Sequence, residues 1–270
     1  NISSAAALFA VDMNMVKVEE PFTTVRIYNT NSHKVIRAIV PVKDGKTVST
    51  GEYVIDGVPG SGEKITLEFL EPSGSLTGKL LPTGNVTDVI DLGEKGKFEV
   101  SVVDAGNPVV FLKAEQLGLI GTELPTEVEK MPEVLMIIEQ IRAEVAEKIG
   151  IVSDKKEATE KSPAYPKIGF VSPAADFINP DGKRIHKEDI DLVARLCSMQ
   201  KMHRAYMVTG GVATAAASKI EGSVVWQMLS ENAREKMILN IGQPYGIMDV
   251  SVCLGKDSKE IYDNKYIESV

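Results

Sequence analysis

The sequence predicts an α+β protein of two pseudo-symmetric units, each wrapping strands around one central helix. Two stretches carry this reading. Residues 206–220, YMVTGGVATAAASKI, pass from an apolar run through Thr209, Gly210 and Gly211 into a run of small residues. A polar cap, glycines and then good helix formers mark a turn from strand into helix. Alanine loses no rotamer freedom in a helix, so the run favours that state. Residues 1–10, NISSAAALFA, repeat the character: a polar start, then small residues. A series of strand-like segments follows each stretch. A helix this slim on every side fits inside a shell of strands. Its first turn leaves backbone N–H groups free at the positive end of the helix dipole, so it can hold an anion. The plainer alternative is a close-packed helix with no ligand.

Taken in order, the first helix is expected to end near Met13. Strands are expected at 23–28 and 34–40, joined by the turn-forming residues 29–32, NTNS. Residues 44–62 are glycine-rich and strand-poor. Residues 64–70 alternate Ile65, Leu67 and Phe69, the period of a half-buried strand. Residues 71–85 form a loop with three glycines and one lysine, Lys79; the order of a phosphate-binding GxxxxGK[ST] loop is absent. Strands follow at 86–92, 97–103 and 109–113. Between the last two, Asn107 stands between Gly106 and Pro108, so its amide sits on a stiff backbone and suits a turn bond or a ligand contact. Residues 126–149 place Val134, Leu135, Ile138, Ile141, Val145 and Ile149 on one stripe of a surface helix, stopped by Gly150. Residues 153–166 read as a polar loop and 168–171 as a short strand. A second amphipathic helix is expected at 187–199, using Ile190, Val193, Ala194, Leu196 and Cys197. A strand at 202–208 then leads into the central helix. Strands are expected at 223–229, 236–241, 247–254 and 259–270. The first unit is assigned residues 1–43 plus 255–270, and the second residues 44–254 with inserted helices.

Composition narrows the function. The chain of 270 residues is 43% hydrophobic and 25% charged, so a sizeable core is expected. A net charge of −8 argues against a nucleic-acid surface, which needs a basic face. Two distant cysteines, Cys197 and Cys253, fit no metal spacing and read as reduced thiols of a cytoplasmic protein. His33, His186 and His203 form no metal-binding pair. No metal, nucleic-acid or membrane partner is expected, nor a secretory leader. Residue 1 already lies inside a helical pattern, which leads us to expect a preceding segment.

Five stretches then carry a resemblance. They are residues 1–5 (NISSA), 75–85 (SLTGKLLPTGN), 104–111 (DAGNPVVF), 121–125 (GTELP) and 209–211 (TGG). In this order the chain resembles the PrpF-type isomerases, which share the diaminopimelate epimerase-like fold. The resemblance implies two barrel domains, each around a helix, with substrate between them. It implies cofactor-free isomerisation of small unsaturated di- or tricarboxylates by moving a proton next to a carboxylate, and allows a homo-oligomer. The family's activities include 2-methylaconitate cis–trans isomerisation, 3-methylitaconate Δ-isomerisation and 4-oxalomesaconate tautomerisation. Two departures lean toward 3-methylitaconate, whose product is 2,3-dimethylmaleate. Residues 242–246 read GQPYG where many relatives have GHPSG, and Val212 stands where many have cysteine. The family's catalytic cysteine and lysine would lie ahead of Asn1. By position, Asn1, Ile2 and Ser3 would offer N–H groups at the first helix, and Thr209, Gly210 and Gly211 at the second. Asn107 would hold substrate, and Lys79 is a further candidate.

Two other classes stay open. A non-catalytic module could hold a carboxylate in the same cleft without turnover. An amino-acid epimerase would favour a cysteine in both helices, against which Val212 counts. His203, Arg204 and Cys197 lie near enough in sequence to the second helix to serve as substitute acid/base groups, though core or surface roles are commoner.

Overall fold

A computed structural model describes residues 2–255 and 267–270; the expectations placed on Asn1 and on 256–266 lie outside them. Helix α1 (Ile2–Asp12) opens the chain, followed by strands β1 (Phe22–Asn29), β2 (Lys34–Lys43), β3 (Lys46–Thr47) and β4 (Thr66–Phe69). β1 and β2 form a hairpin, and both β3 and β4 pair antiparallel with β2. α1 lies on this sheet and buries Ser3, Ala7 and Val11, one residue per turn. Its partners include Val25, Ala38, Val40 and Val42.

The second part begins with β5 (Asp88–Asp91), β6 (Lys97–Ala105) and β7 (Asn107–Lys113). Helices α2 (Pro125–Val128), α3 (Pro132–Lys148) and α4 (Ala158–Lys161) lead to β8 (Lys167–Pro173). A small hairpin, β9 (Phe177–Ile178) and β10 (Arg184–Ile185), precedes β11 (Leu192–Ser198) and β12 (Lys201–Met202). Then come α5 (Val208–Ser218), α6 (Val224–Met228) and α7 (Glu231–Glu235). β13 (Ile238–Gln243), β14 (Gly246–Ser251), β15 (Cys253–Leu254) and β16 (Ile267–Ser269) close the described chain.

Eight strands form one sheet in the order β14-β13-β11-β8-β7-β6-β5, with β12 on β11. Two pairs in it are parallel, β7 with β8 and β11 with β13. Parallel neighbours need a crossover, and here the crossovers use opposite faces. The α2–α4 crossover lays Ile138, Ile141 and Val145 on one face, against Val110, Leu112, Ile168 and Phe170. The α5–α7 crossover lays α5 on the other, against Val109, Phe111, Val171, Ala194 and Leu196. α5 touches β6 and β7 as well as β13 and β14, so the sheet curls around it. Every residue of α5 from Gly210 to Ser218 is buried.

Ile36 and Phe69 of the first sheet join the α5 core, so the two units share it. The expected boundary at residue 43 would separate β2 from β3 and β4, which pair with it. We therefore propose an end for the first unit near residue 70. No helix among the described residues is long and apolar enough to cross a membrane.

Several expected elements change identity. Residues 187–199 are not a helix. They form a short turn and then β11, whose Leu192–Cys197 are all buried between β8 and β13. A strand covered on both faces reads as a mainly apolar run, broken here by the fully buried Arg195, and periodicity cannot tell such a run from a buried helix. Residues 223–229 are helical instead of extended. The Ser223 hydroxyl caps α6 by accepting from the Trp226 N–H at 3.1 Å. The expected strand at 202–208 shrinks to Lys201–Met202, because α5 already starts at Val208. Pro132 opens a fresh helix, so the expected helix at 126–149 is split into α2 and α3. The loop expected at 153–166 contains the single turn of α4.

Candidate functional site

A cleft of about 440 Å³ opens where the two sheets meet the start of α5. The first sheet contributes Asn29, Asn31, Ser32, Lys34 and Ile36. Phe69, Leu70 and Pro72 form the crossing segment, with Ser75 and Leu76 beyond it. The second sheet contributes Gly106, Asn107 and Tyr165, and α5 contributes Thr209.

The wall at 75–77 is held by one buried carboxylate. Asp104 accepts from the Ser75 and Thr77 hydroxyls and from the N–H groups of Leu76 (2.9 Å) and Thr77 (2.7 Å). Four donors on a fully buried acid fix a loop that has no regular structure of its own. The β6–β7 turn is held in the same way. Gly106 adopts φ +71° and donates its N–H to the Pro72 carbonyl at 2.9 Å. A Cβ there would also stand 3.2 Å from Val212 Cγ1 on α5. The turn tip therefore rests on the second turn of the helix, and Asn107 follows beside it. The Asn107 side chain forms no hydrogen bond among the described residues, although its position in the cleft is fixed.

The start of α5 differs in detail from expectation. Met207 is the N-cap residue and makes no side-chain cap bond, so Thr209 lies inside the first turn. The N–H groups of Val208, Thr209 and Gly210 precede the first i→i−4 bond. Gly211 already donates to Met207 at 2.9 Å, so its N–H is occupied. Both glycines answer to packing. A Cβ at Gly210 would stand 2.7 Å from Leu196 Cδ2, and one at Gly211 2.9 Å from Met248 Sδ. Tyr206 anchors the helix through its hydroxyl bond to Thr214 (2.9 Å), which in turn donates to the Gly210 carbonyl (2.8 Å).

The structure thus brings Asn107 and Thr209 together, with Gly210 in the same helical turn. Ile2, Ser3 and Lys79 do not line the cleft; Ile2 and Lys79 are exposed and Ser3 is buried. Neither do the substitute acid/base candidates. Cys197 faces α3 on the far side of the sheet, and burial pushes its thiol up to about 12. Arg204 pairs with Glu129 at 2.9 Å on the surface. The His203 backbone N–H bonds the Leu196 carbonyl, and its buried Nδ1 has no partner among the described residues. The 242–246 corner also stands apart from the cleft. Asn179 donates to the Tyr245 carbonyl, and the Ile247 N–H to Asp56. Asp176, His186 and Glu188 bring ligand atoms within 4.8 Å of one another at exposed positions. Arg184 and the Lys187 N–H already bind Asp176.

Sequence reasoning missed Lys34, Tyr165 and the Asn29–Ser32 turn as cleft residues. The turn composition was visible, but its location depends on Ile36 and Phe69 packing into the α5 core.

Comparison with known proteins agrees with this architecture. The chain is 42% identical over 260 residues to 3-methylitaconate isomerase of Eubacterium barkeri, covering 96% of this chain and 68% of that protein. It is 34% identical over 257 residues to 2-methyl-aconitate isomerase of Shewanella oneidensis, covering 93% and 64%. The crystal structure of a methylitaconate-delta-isomerase superimposes with a TM-score of 0.87 at 39% identity, over 100% of this chain and 68% of that one. The chain therefore spans about two thirds of these relatives and has the α+β, diaminopimelate epimerase-like fold. The family model described as PrpF protein matches residues 1–269, and this chain belongs to the PrpF family.

Proposed function

We propose that this chain builds the substrate cleft of an isomerase that moves a proton next to a carboxylate in small unsaturated di- or tricarboxylates. The favoured substrate is 3-methylitaconate, with 2,3-dimethylmaleate as product. The supporting observation is the juxtaposition of Asn107 and the first turn of α5 in one cleft. A proton beside a carboxylate is hard to remove because negative charge builds on the carboxylate oxygens. The N–H groups of Thr209 and Gly210, the positive end of α5 and the unpaired Asn107 amide are donors for that charge. Ile36, Phe69 and Leu70 give the cleft an apolar wall, which lowers the local dielectric and strengthens those interactions. The acid and base that carry the proton are proposed to lie ahead of Asn1, as the family pattern implies.

The test is incubation of the complete protein in deuterated water with 3-methylitaconate, 2-methylaconitate and 4-oxalomesaconate in turn. Deuterium incorporation with 3-methylitaconate above the other two supports the reading. Faster incorporation with another acid reassigns the substrate. Incorporation with none, alongside ligand-induced stabilisation, replaces the isomerase with a carboxylate-binding module.

A further inference from the structure

One row of side chains on the first sheet leads into the cleft and ends on a cation. On β2 Val42, Val40 and Ala38 lie in the α1 core, and Ile36, next in the same row, lies in the α5 core. Side chains two apart on a strand share a face, so Lys34 continues this row past Ile36. There it borders the cleft, half-buried. The neighbouring strands run the same way. On β1 Val25 and Ile27 lead to Asn29, which stands opposite Lys34 and also borders the cleft. On β4 Leu67 leads to Phe69, which stands opposite Ile36. The Leu70 N–H then bonds the Val35 carbonyl at 3.1 Å, which pins the crossing segment beside Lys34.

Among the described residues Lys34 is the one charged side chain that lines the cleft, and no hydrogen bond or ion pair engages its ammonium. The nearby Asp104 carboxylate does not offset it, being taken up by Ser75, Leu76 and Thr77. On the opposite wall the Asn107 amide and the Thr209 hydroxyl have no hydrogen bond among the described residues either. The two walls therefore offer two different places for negative charge. Neutral donors gather at the start of α5, and a full positive charge stands on the first sheet. A charged donor binds a carboxylate about twice as strongly as a neutral one. An acid with one carboxylate can satisfy one wall, and an acid with two can satisfy both.

We propose that Lys34 is a substrate-binding residue that selects dicarboxylates. Its ammonium receives the second carboxylate of a small acid whose first carboxylate lies at Asn107 and Thr209. This rests on the reading of the cleft as a carboxylate site and adds how that site tells two carboxylates from one.

Itaconate and methacrylate are the probes. Methacrylate keeps the unsaturated carboxylate of itaconate and has a methyl group in place of the carboxymethyl arm. Binding of each to the complete protein is measured by calorimetry. The wild type is expected to bind itaconate about 10-fold or more tighter than methacrylate, the range for one charge-assisted hydrogen bond. Lys34→Met is expected to weaken itaconate by about 10-fold and to change methacrylate by less than about 2-fold, so that most of the preference disappears. Lys34→Gln, which keeps a polar end at this half-buried position, is expected to match Lys34→Met and serves in its place if that variant does not fold. Lys34→Arg keeps the cation and is expected to retain most of the preference. A preference that survives both neutral variants, or an equal loss for the two acids, overturns the assignment and leaves the carboxylate cleft standing. So does a wild type that binds both acids equally well. A wild type that binds neither acid overturns the cleft reading and the assignment together. A preference that depends on Lys34, without deuterium incorporation in the complete protein, removes the isomerase reading and leaves the lysine assignment standing.

Discussion

α1 and α5 have nearly the same composition and opposite surroundings. Each is 11 residues long and built largely from small side chains. α1 buries Ser3, Ala7 and Val11 on the first sheet and leaves Ile2 88% and Phe9 59% exposed. α5 is buried from Gly210 to Ser218 on all sides. Small side chains therefore permit enclosure but do not produce it. The strands that reach the helix decide how many of its faces are covered. β1, β2 and β3 flank α1, whereas a curled eight-stranded sheet meets α5 along both β6–β7 and β13–β14. The two helices are also tethered differently. Asp12, at the end of α1, accepts from the Thr47 N–H (3.0 Å) and hydroxyl (2.9 Å). α5 is held by packing and by the buried Tyr206–Thr214 bond.

The sharpest break in this comparison is a matched pair of substitutions. Ala215→Leu inserts three carbons into a fully buried position and is expected to destabilise by about 3 kcal/mol or more. Ala6→Leu, on the exposed face of α1, is expected to change stability by less than about 0.5 kcal/mol. Urea denaturation of both variants checks this, and equal effects would mean that α1 is enclosed as well.

A smaller effect is expected at the mouth of the α5 barrel. Lys167→Met removes a charge from a side chain only 7% exposed, held against the Tyr165 ring, and is expected to stabilise the chain by about 1 kcal/mol, or ~2–4 °C in melting temperature. The lysine's folded value of about 8 lies below its unfolded 10.5. The unfolded chain thus binds more protons between those values, and wild-type stability rises with pH across that window. The gap between the two proteins should narrow from pH 8 to pH 10, as melting curves at each pH would show.

Acid should separate the two helices. Its bonds from the Thr47 N–H and hydroxyl hold the Asp12 carboxyl below its ordinary value of 3.8. Its support for α1 is therefore present above about pH 4 and is lost as the pH falls through the lowered value. Hydrogen exchange in α1 is expected to speed up in acid before exchange in α5 changes. The smallest effect belongs to Phe9→Ser. It should leave the melting temperature within about 1 °C, because the ring is mostly exposed.

Much of this architecture was legible in the sequence. The small-residue runs marked both helices, and Gly106-Asn107-Pro108 marked the turn that borders the cleft. β11 was not legible, because Leu192–Cys197 is apolar at every position but Arg195, which leaves no clean two-residue alternation once both faces are covered. α6 was missed because a single serine cap, Ser223, outweighs the β-branched Val224 and Val225. Lys167 gave no local signal. It follows a polar segment and looks like a solvated strand end; only the Val109–Lys167 register buries it. The cleft residues of the β1–β2 turn were hidden for a similar reason, since their placement depends on a contact between distant segments. Gly210 and Gly211 were noticed, but their packing role depends on Leu196 and Met248, from strands on either side of the helix in sequence.

The enclosure of α5 also has a consequence in time. Its surrounding strands arrive from both directions along the chain: β6, β7, β8 and β11 before it, β13 and β14 after it. A nascent chain that has just completed α5 has only part of its wrapping. The helix must therefore wait for roughly 30 more residues before its last faces can be covered, and the parallel β11–β13 pair must close across that interval. Refolding should be slow for a domain of this size, with the alanine ridge of α5 among the last surfaces to become protected from solvent exchange.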